Sequence, residues 1–186
     1  MPVPSREETL TGLFAAWRML LRDERAVALF DATPAGFWKS FFCAVVVLPA
    51  YAFLVWIADL GGGETSWGKV ILVEGIGYVI AWTAWPVAMA HLAPLLGRED
   101  RYIRYVVAYN WSSGPQALIM LVATLLSIVG LFPATLGVIV LVLLLVYQTF
   151  IARVALGIAT LPAVTLALSD FFLGQIVRVA RELLLQ

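Results

Sequence analysis

Five stretches of this chain are long and apolar enough to cross a bilayer, and no other feature restricts its fold so strongly. A helix needs about 20 apolar residues to span the hydrocarbon core. Stretches of about that length run from Phe37 to Ala58, Val70 to Leu92, Pro115 to Phe132, Ala134 to Ala152 and Val154 to Phe172. Lipid offers the backbone no hydrogen bonds, so each stretch is read as a helix. Composition agrees. The chain is 62% hydrophobic and 13% charged, where a soluble domain is about half apolar and about a quarter charged. The expected fold is all-α, a polytopic membrane helix bundle over residues 37–175. The links Leu131-Phe132-Pro133 and Ile151-Ala152-Arg153 are short, so the last three spans should form antiparallel hairpins. Pro162 and Asp170 interrupt the fifth stretch, which leaves a re-entrant segment as the alternative to a full span.

Residues 1–36 have a different character. Arg18, Arg22, Asp23, Glu24 and Arg25 are too dense for a span, while Leu10, Phe14, Trp17 and Leu21 recur at helical spacing. The pattern predicts an amphipathic helix lying in the membrane interface, ended by "DATPAG" at Asp31–Gly36. A helix packed on other protein is the alternative. Residues 176–186, "IVRVARELLLQ", are read as a separate amphipathic tail.

A polar segment, "GREDRYIRYVVAYNWSSGPQ" from Gly97 to Gln116, joins the second and third stretches. Tyr102, Tyr105 and Tyr109 share a face if it is helical. Tyr and Trp favour the headgroup level, so these residues, Trp111, and Arg98, Arg101, Arg104 and Arg153 are expected at the lipid interface. "NWSSGP", Asn110–Pro115, is expected to break that interfacial helix before the third span begins. The competing reading is a basic loop with scattered aromatics.

Charge orients the bundle. Arg6, Arg18, Arg22, Arg25, Lys39, Arg98, Arg101, Arg104 and Arg153 fall on one side, and Lys69, Arg178 and Arg181 on the other. This asymmetry predicts a cytoplasmic N-terminus; the expected location is a bacterial inner membrane. The N-terminal charges do not resemble a secretory signal.

Few residues suggest chemistry. Glu74 lies about one turn inside the second span, where an ionisable group is a candidate polar site. Gly77, Ala81, Ala84 and Ala88 lie near it on the helix and form a small-residue stripe suited to close helix packing. Glu74 is thus expected to face the bundle, as a structural carboxyl or as a proton or cation site. His91 is about 25 Å from Glu74 along one helix, too far for a dyad. Asp170 is read as a neutraliser of Arg178 or a cap for the tail. Trp82 and Trp85 are read as packing or lipid-facing residues. Net charge is zero and no basic block marks a nucleic-acid partner. Cys43 is the only cysteine, so no internal disulfide is available. Hydrolase, P-loop and dinucleotide motifs are missing. No catalytic residue, metal ligand or cofactor is assigned.

Three features define a resemblance. "ATPAGFWKSFFCAVVVLPAY" leads into the first span, "REDRYIRYVVAYNW" follows the second, and "ARVALGIATLPAVTLALSD" crosses the last turn. This five-span layout resembles the Yip family, membrane proteins first known as interactors of Rab GTPases and also found in bacteria. The resemblance implies a non-enzymatic integral membrane protein with roles in membrane shaping or trafficking, and supplies no catalytic residue. The expected function is that of a scaffold or accessory subunit contacting lipids, other integral membrane proteins or a second copy. The alternative is a small transporter or channel component with Glu74 as its proton or cation site.

Overall fold

In a computed structural model of the chain, residues 2–59, 66–131 and 133–186 are described. The loop around Gly61, expected to join the first two spans, and Phe132, expected in the third link, lie outside them. The described residues contain seven α-helices and no strand: α1 Arg6–Leu20, α2 Pro34–Ser40, α3 Phe42–Asp59, α4 Trp67–Leu95, α5 Tyr102–Ile128, α6 Ala134–Leu156 and α7 Thr160–Leu185. Five helical segments, 34–57, 67–95, 99–128, 136–156 and 160–185, are long and apolar enough to cross a membrane. The chain is therefore a helical membrane bundle of the expected class.

α1 begins with a capping box. The Ser5 hydroxyl accepts from the Glu8 amide, and the Glu8 carboxylate accepts from the Ser5 amide at 2.7 Å. Arg22, at φ +68°, turns the chain out of the helix, and Asp23 caps a short 3-10 helix over Glu24–Leu29. The expected single helix over Glu7–Phe30 is thus two pieces. α2 starts at Thr33, whose hydroxyl accepts from the Gly36 amide, with Pro34 in the first turn.

α5 departs most from expectation. It runs unbroken through "NWSSGP", so the predicted interfacial helix and the third span are one element. Pro115 cannot donate to the Trp111 carbonyl, but the Cys43 thiol donates to that oxygen at 3.9 Å. The Ser112 hydroxyl donates to the Tyr109 carbonyl at 2.6 Å, and the Gln116 amide to the Ser112 carbonyl at 3.1 Å. The buried Cys43 thiol thus takes up the carbonyl that the proline releases, the two other side chains add bonds to neighbouring carbonyls, and the local breaking tendency loses.

The last turn also lies later than expected. α6 continues to Leu156 and ends on Gly157 at φ +64°, a left-handed position that suits glycine. α7 then runs for 26 residues, about 39 Å and enough for a full crossing. Pro162 sits in its first turn, where no intrahelical donor is needed. The tail at 176–186 is the end of this helix, not a separate unit.

α5 is the hub, packing on α1, α2, α3, α4 and α6, while α7 packs on α4 and α6. The core gathers Met19, Trp85, Met89, Tyr105, Val106, Trp111, Tyr147, Ile151 and Leu156.

Candidate functional site

In lipid, apolar burial gives helices little reason to associate, so polar ties and close packing position them. Two polar clusters lie along the contact between α4 and α7. The first contains Glu74. Its carboxylate accepts from the Arg181 guanidinium of α7 and from the Tyr51 hydroxyl of α3, and Arg181 also donates to Tyr51. The Glu74 and Arg181 side chains keep only 16% and 21% of their exposure. Three helices are therefore clasped by one ion pair. Gly77 makes room for it, since a Cβ there would run into the aliphatic part of Arg181. Beside it, the Tyr78 hydroxyl donates to the Ala44 carbonyl at 2.6 Å.

The second cluster lies nearer the α1 end of the bundle. The Trp85 indole donates to the Tyr105 hydroxyl at 2.7 Å, and the Tyr102 hydroxyl to the Pro86 carbonyl at 3.0 Å. The Tyr109 hydroxyl donates to Asp170 Oδ1 at 3.0 Å. Asp170 and Arg181 are eleven residues apart, so they share a face of α7 at about 16 Å separation. Between them is a cavity of about 350 Å³, lined by Ala81, Ala84, Trp85, Tyr109, Asp170 and Arg181, among others. The stripe on α4 thus divides its work. Gly77 seats Arg181, Ala81 and Ala84 line the cavity, and Ala88 packs against the core.

Several expected interface residues turn inward. Tyr105 and Trp111 are 3% and 5% exposed. They are core residues, because α5 is a span with neighbours on most sides rather than a surface helix. Tyr102 and Tyr109 are half-buried and hydrogen-bonded within the bundle. Arg98 donates to the Gly157 carbonyl at 3.3 Å, at the end of α6. Arg101 also lies against Gly157, and Arg104 is exposed. Arg153 pairs with Glu24 and lies over the Phe150 ring. Asp170 does not neutralise Arg178, which binds Glu182 at 2.6 Å and Gln175 at 2.9 Å. Of the two readings for Trp85, packing holds, since it is buried in the core.

α1 carries two apolar faces. Gly12, Ala15, Ala16 and Met19 are buried against the bundle, with Gly12 on the Trp111 ring and the Ala16 carbonyl accepting from Tyr147 at 2.7 Å. Leu10, Phe14, Trp17 and Leu21 lie on the opposite side and are 45–67% exposed. At its start, Lys39 binds Glu8 at 2.5 Å. This contact, joined by the Ser5 amide, holds the Glu8 carboxyl below its usual range. A second cavity of about 460 Å³ lies here, lined by Ser5, Glu7, Glu8, Asp31, Lys39 and Trp111. Its Glu8 already has a counter-charge in Lys39, and its Glu7 and Asp31 are exposed to solvent, so the cavity beside the partly enclosed Asp170 is the stronger candidate site.

Among the described residues, no group of three His, Cys, Asp or Glu side chains could hold a metal ion. His91 is exposed on α4, away from both clusters. Sequence reasoning missed Arg181 and Tyr51 as partners of Glu74, since the tail was detached from the fifth span. A signal was present: Asp170, Gly174, Val177 and Arg181 recur at helical spacing across that boundary. No family model, curated protein or solved structure matches this chain.

Proposed function

We propose that this integral membrane protein is non-enzymatic and works through helix and lipid contacts, as a scaffold or accessory subunit of a larger membrane complex. One observation supports this above others. Glu74, the carboxylate best suited by sequence to carry a proton or cation, is bound by Arg181 and Tyr51 and ties α3, α4 and α7 together. A transport site must load and release its ion, whereas a paired and enclosed carboxylate stabilises one arrangement. The outward stripe Leu10, Phe14, Trp17 and Leu21 supports lipid contact by α1. The resemblance to the Yip family, which also occurs in bacteria, points the same way and suggests a bacterial inner membrane, and the charge asymmetry supports a cytoplasmic N-terminus.

A second reading, a small transporter component, has the cavity beside Asp170 in its favour. Flux separates the two. Purified protein is reconstituted into liposomes loaded with a pH-sensitive dye, and a proton or potassium gradient is imposed. A scaffold leaves the decay of the gradient as slow as in empty liposomes. Faster decay that Glu74→Gln abolishes would overturn the scaffold reading and establish Glu74 as the ion site.

A further inference from the structure

Among the described residues, the spans contain two partly enclosed carboxylates facing α4–α7 contacts, and one of them lacks a counter-charge. Glu74 has Arg181. Asp170 accepts a hydrogen bond from Tyr109 and forms no ion pair among the described residues. It sits ten residues into α7, about 15 Å along the helix axis from Thr160. A charge without a counter-charge at such a depth is expensive, and intramembrane ionisable groups mark ligand or ion sites.

The surroundings specify the ligand. Asp170 lines a cavity of about 350 Å³, within the range of small-molecule sites. Trp85, Tyr109 and Phe171 line the same cavity. The charges of the cations in its wall are paired, Arg178 with Glu182 and Arg181 with Glu74, although the buried Arg181 Nε has no hydrogen-bond partner among the described residues. Asp170 is therefore the cavity's one charge without an opposite charge among the described residues. A carboxylate beside aromatic rings in a partly desolvated pocket is the chemistry that recognises ammonium groups. Ala81 and Ala84 leave the α4 wall open where larger side chains would fill it.

We propose that this cavity between α4 and α7 binds a monovalent organic cation, a primary or quaternary ammonium, with Asp170 as its counter-charge and Trp85, Tyr109 and Phe171 as the flanking rings. The site shares Arg181 with the Glu74 clasp and does not require that the protein move a solute.

The test uses the full chain in nanodiscs of phosphatidylglycerol. Tetramethylammonium and butylammonium chloride are titrated by calorimetry, with sodium chloride at equal ionic strength as the control. The wild type should bind at least one of the two saturably and ignore sodium. Asp170→Asn keeps an oxygen for Tyr109 but loses the charge, so its affinity should fall by about tenfold or more while its melting temperature stays unchanged. Asp170→Glu keeps the charge and should retain saturable binding, which guards against a fold defect in the first variant. Phosphatidylethanolamine is then added to the nanodiscs. Competition identifies a lipid headgroup as the ammonium source and its absence identifies a soluble amine; both outcomes uphold the site. No saturable binding by the wild type, or equal binding by Asp170→Asn, would overturn the proposal.

Discussion

The clasp between Glu74, Arg181 and Tyr51 makes a quantitative prediction for single and double substitutions. Glu74→Gln preserves shape and leaves Tyr51 an oxygen to donate to, so it would be nearly silent if the carboxyl stood alone. The structure changes that expectation, because Arg181 would lose its counter-charge inside the bundle. Removing one partner of a fully buried pair costs about 3–5 kcal/mol. Here the side chains keep 16% and 21% exposure, so about 2 kcal/mol for each of Glu74→Gln and Arg181→Gln is the reasonable figure. The double variant replaces the ion pair with two amides that can hydrogen-bond to each other. Neutral hydrogen bonds contribute about 1 kcal/mol each, so the double variant should lie within about 1 kcal/mol of the wild type. The resulting coupling is about 3 kcal/mol, at the upper end for contacting residues.

The assay is thermal unfolding in a mild detergent, followed by far-ultraviolet circular dichroism. On the scale of soluble domains of this size, 1 kcal/mol moves Tm by about 2–4 °C. Each single variant should therefore fall by about 4–8 °C, and the double should recover most of that loss. If the double falls by the sum of the singles, the charges are not coupled and the clasp does not hold α7 to α3 and α4. A Glu74→Gln variant as stable as the wild type would refute the argument equally.

Cys43→Ala should destabilise by about 1 kcal/mol, because the Trp111 carbonyl loses its donor; in a Pro115→Ala background a backbone N–H takes over, and the loss should disappear in the same unfolding assay. Single cysteines at Arg25 and Lys69, in a Cys43→Ala background, should react with an impermeant maleimide from opposite sides of the membrane, and labelling from one side would remove the proposed topology. The Glu8 carboxyl is held below its ordinary value of 4.5 mainly by Lys39, so its contribution is complete above that value and lost as pH falls through the depressed one. Spin labels at Arg6 and Trp38 should accordingly show a broader distance distribution in acid, and Lys39→Met should broaden it already at neutral pH.

The number of spans was readable because hydrophobic length is a strong signal that tertiary packing rarely overrides, but the third begins earlier and the fifth lies later than expected. What failed were local rules applied where the neighbours decide. "NWSSGP" reads as a break, yet Cys43, Ser112 and Gln116 satisfy the backbone around Pro115 and the helix continues. Tyr105 and Trp111 read as headgroup residues because sequence cannot say that α1, α2 and α3 will cover α5. α1 read as having one apolar face, since Gly12, Ala15 and Ala16 carry little hydrophobic weight; their value lies in close approach to α5 and α6. Glu74 and its stripe were legible, whereas Arg181 was hidden by treating the end of α7 as a tail.

The two polar clusters also explain why α7 needs side-chain ties at all. α5 is surrounded by helices, but α7 meets mainly α4 and α6, and its far side is rich in exposed apolar residues such as Phe172, Ile176, Val179 and Leu183. Those side chains are as comfortable in lipid as against protein, so they do not fix where α7 stands. Asp170 on Tyr109 and Arg181 on Glu74 hold it at two points about 16 Å apart along the helix. Two points determine both position and tilt, while the span between them stays free to remain open beside Ala81 and Ala84. This separation of duties is what makes the substitutions informative. Breaking the Glu74 clasp releases one end of α7 and should lower stability without removing the Asp170 charge. Asp170→Asn keeps the other tie and removes only the charge. Because Arg181 lines the same cavity, Glu74→Gln leaves an unanswered cation in its wall and should weaken ammonium binding at lowered stability; Asp170→Asn should lose binding at unchanged stability, which is the signature of Asp170 as the counter-charge.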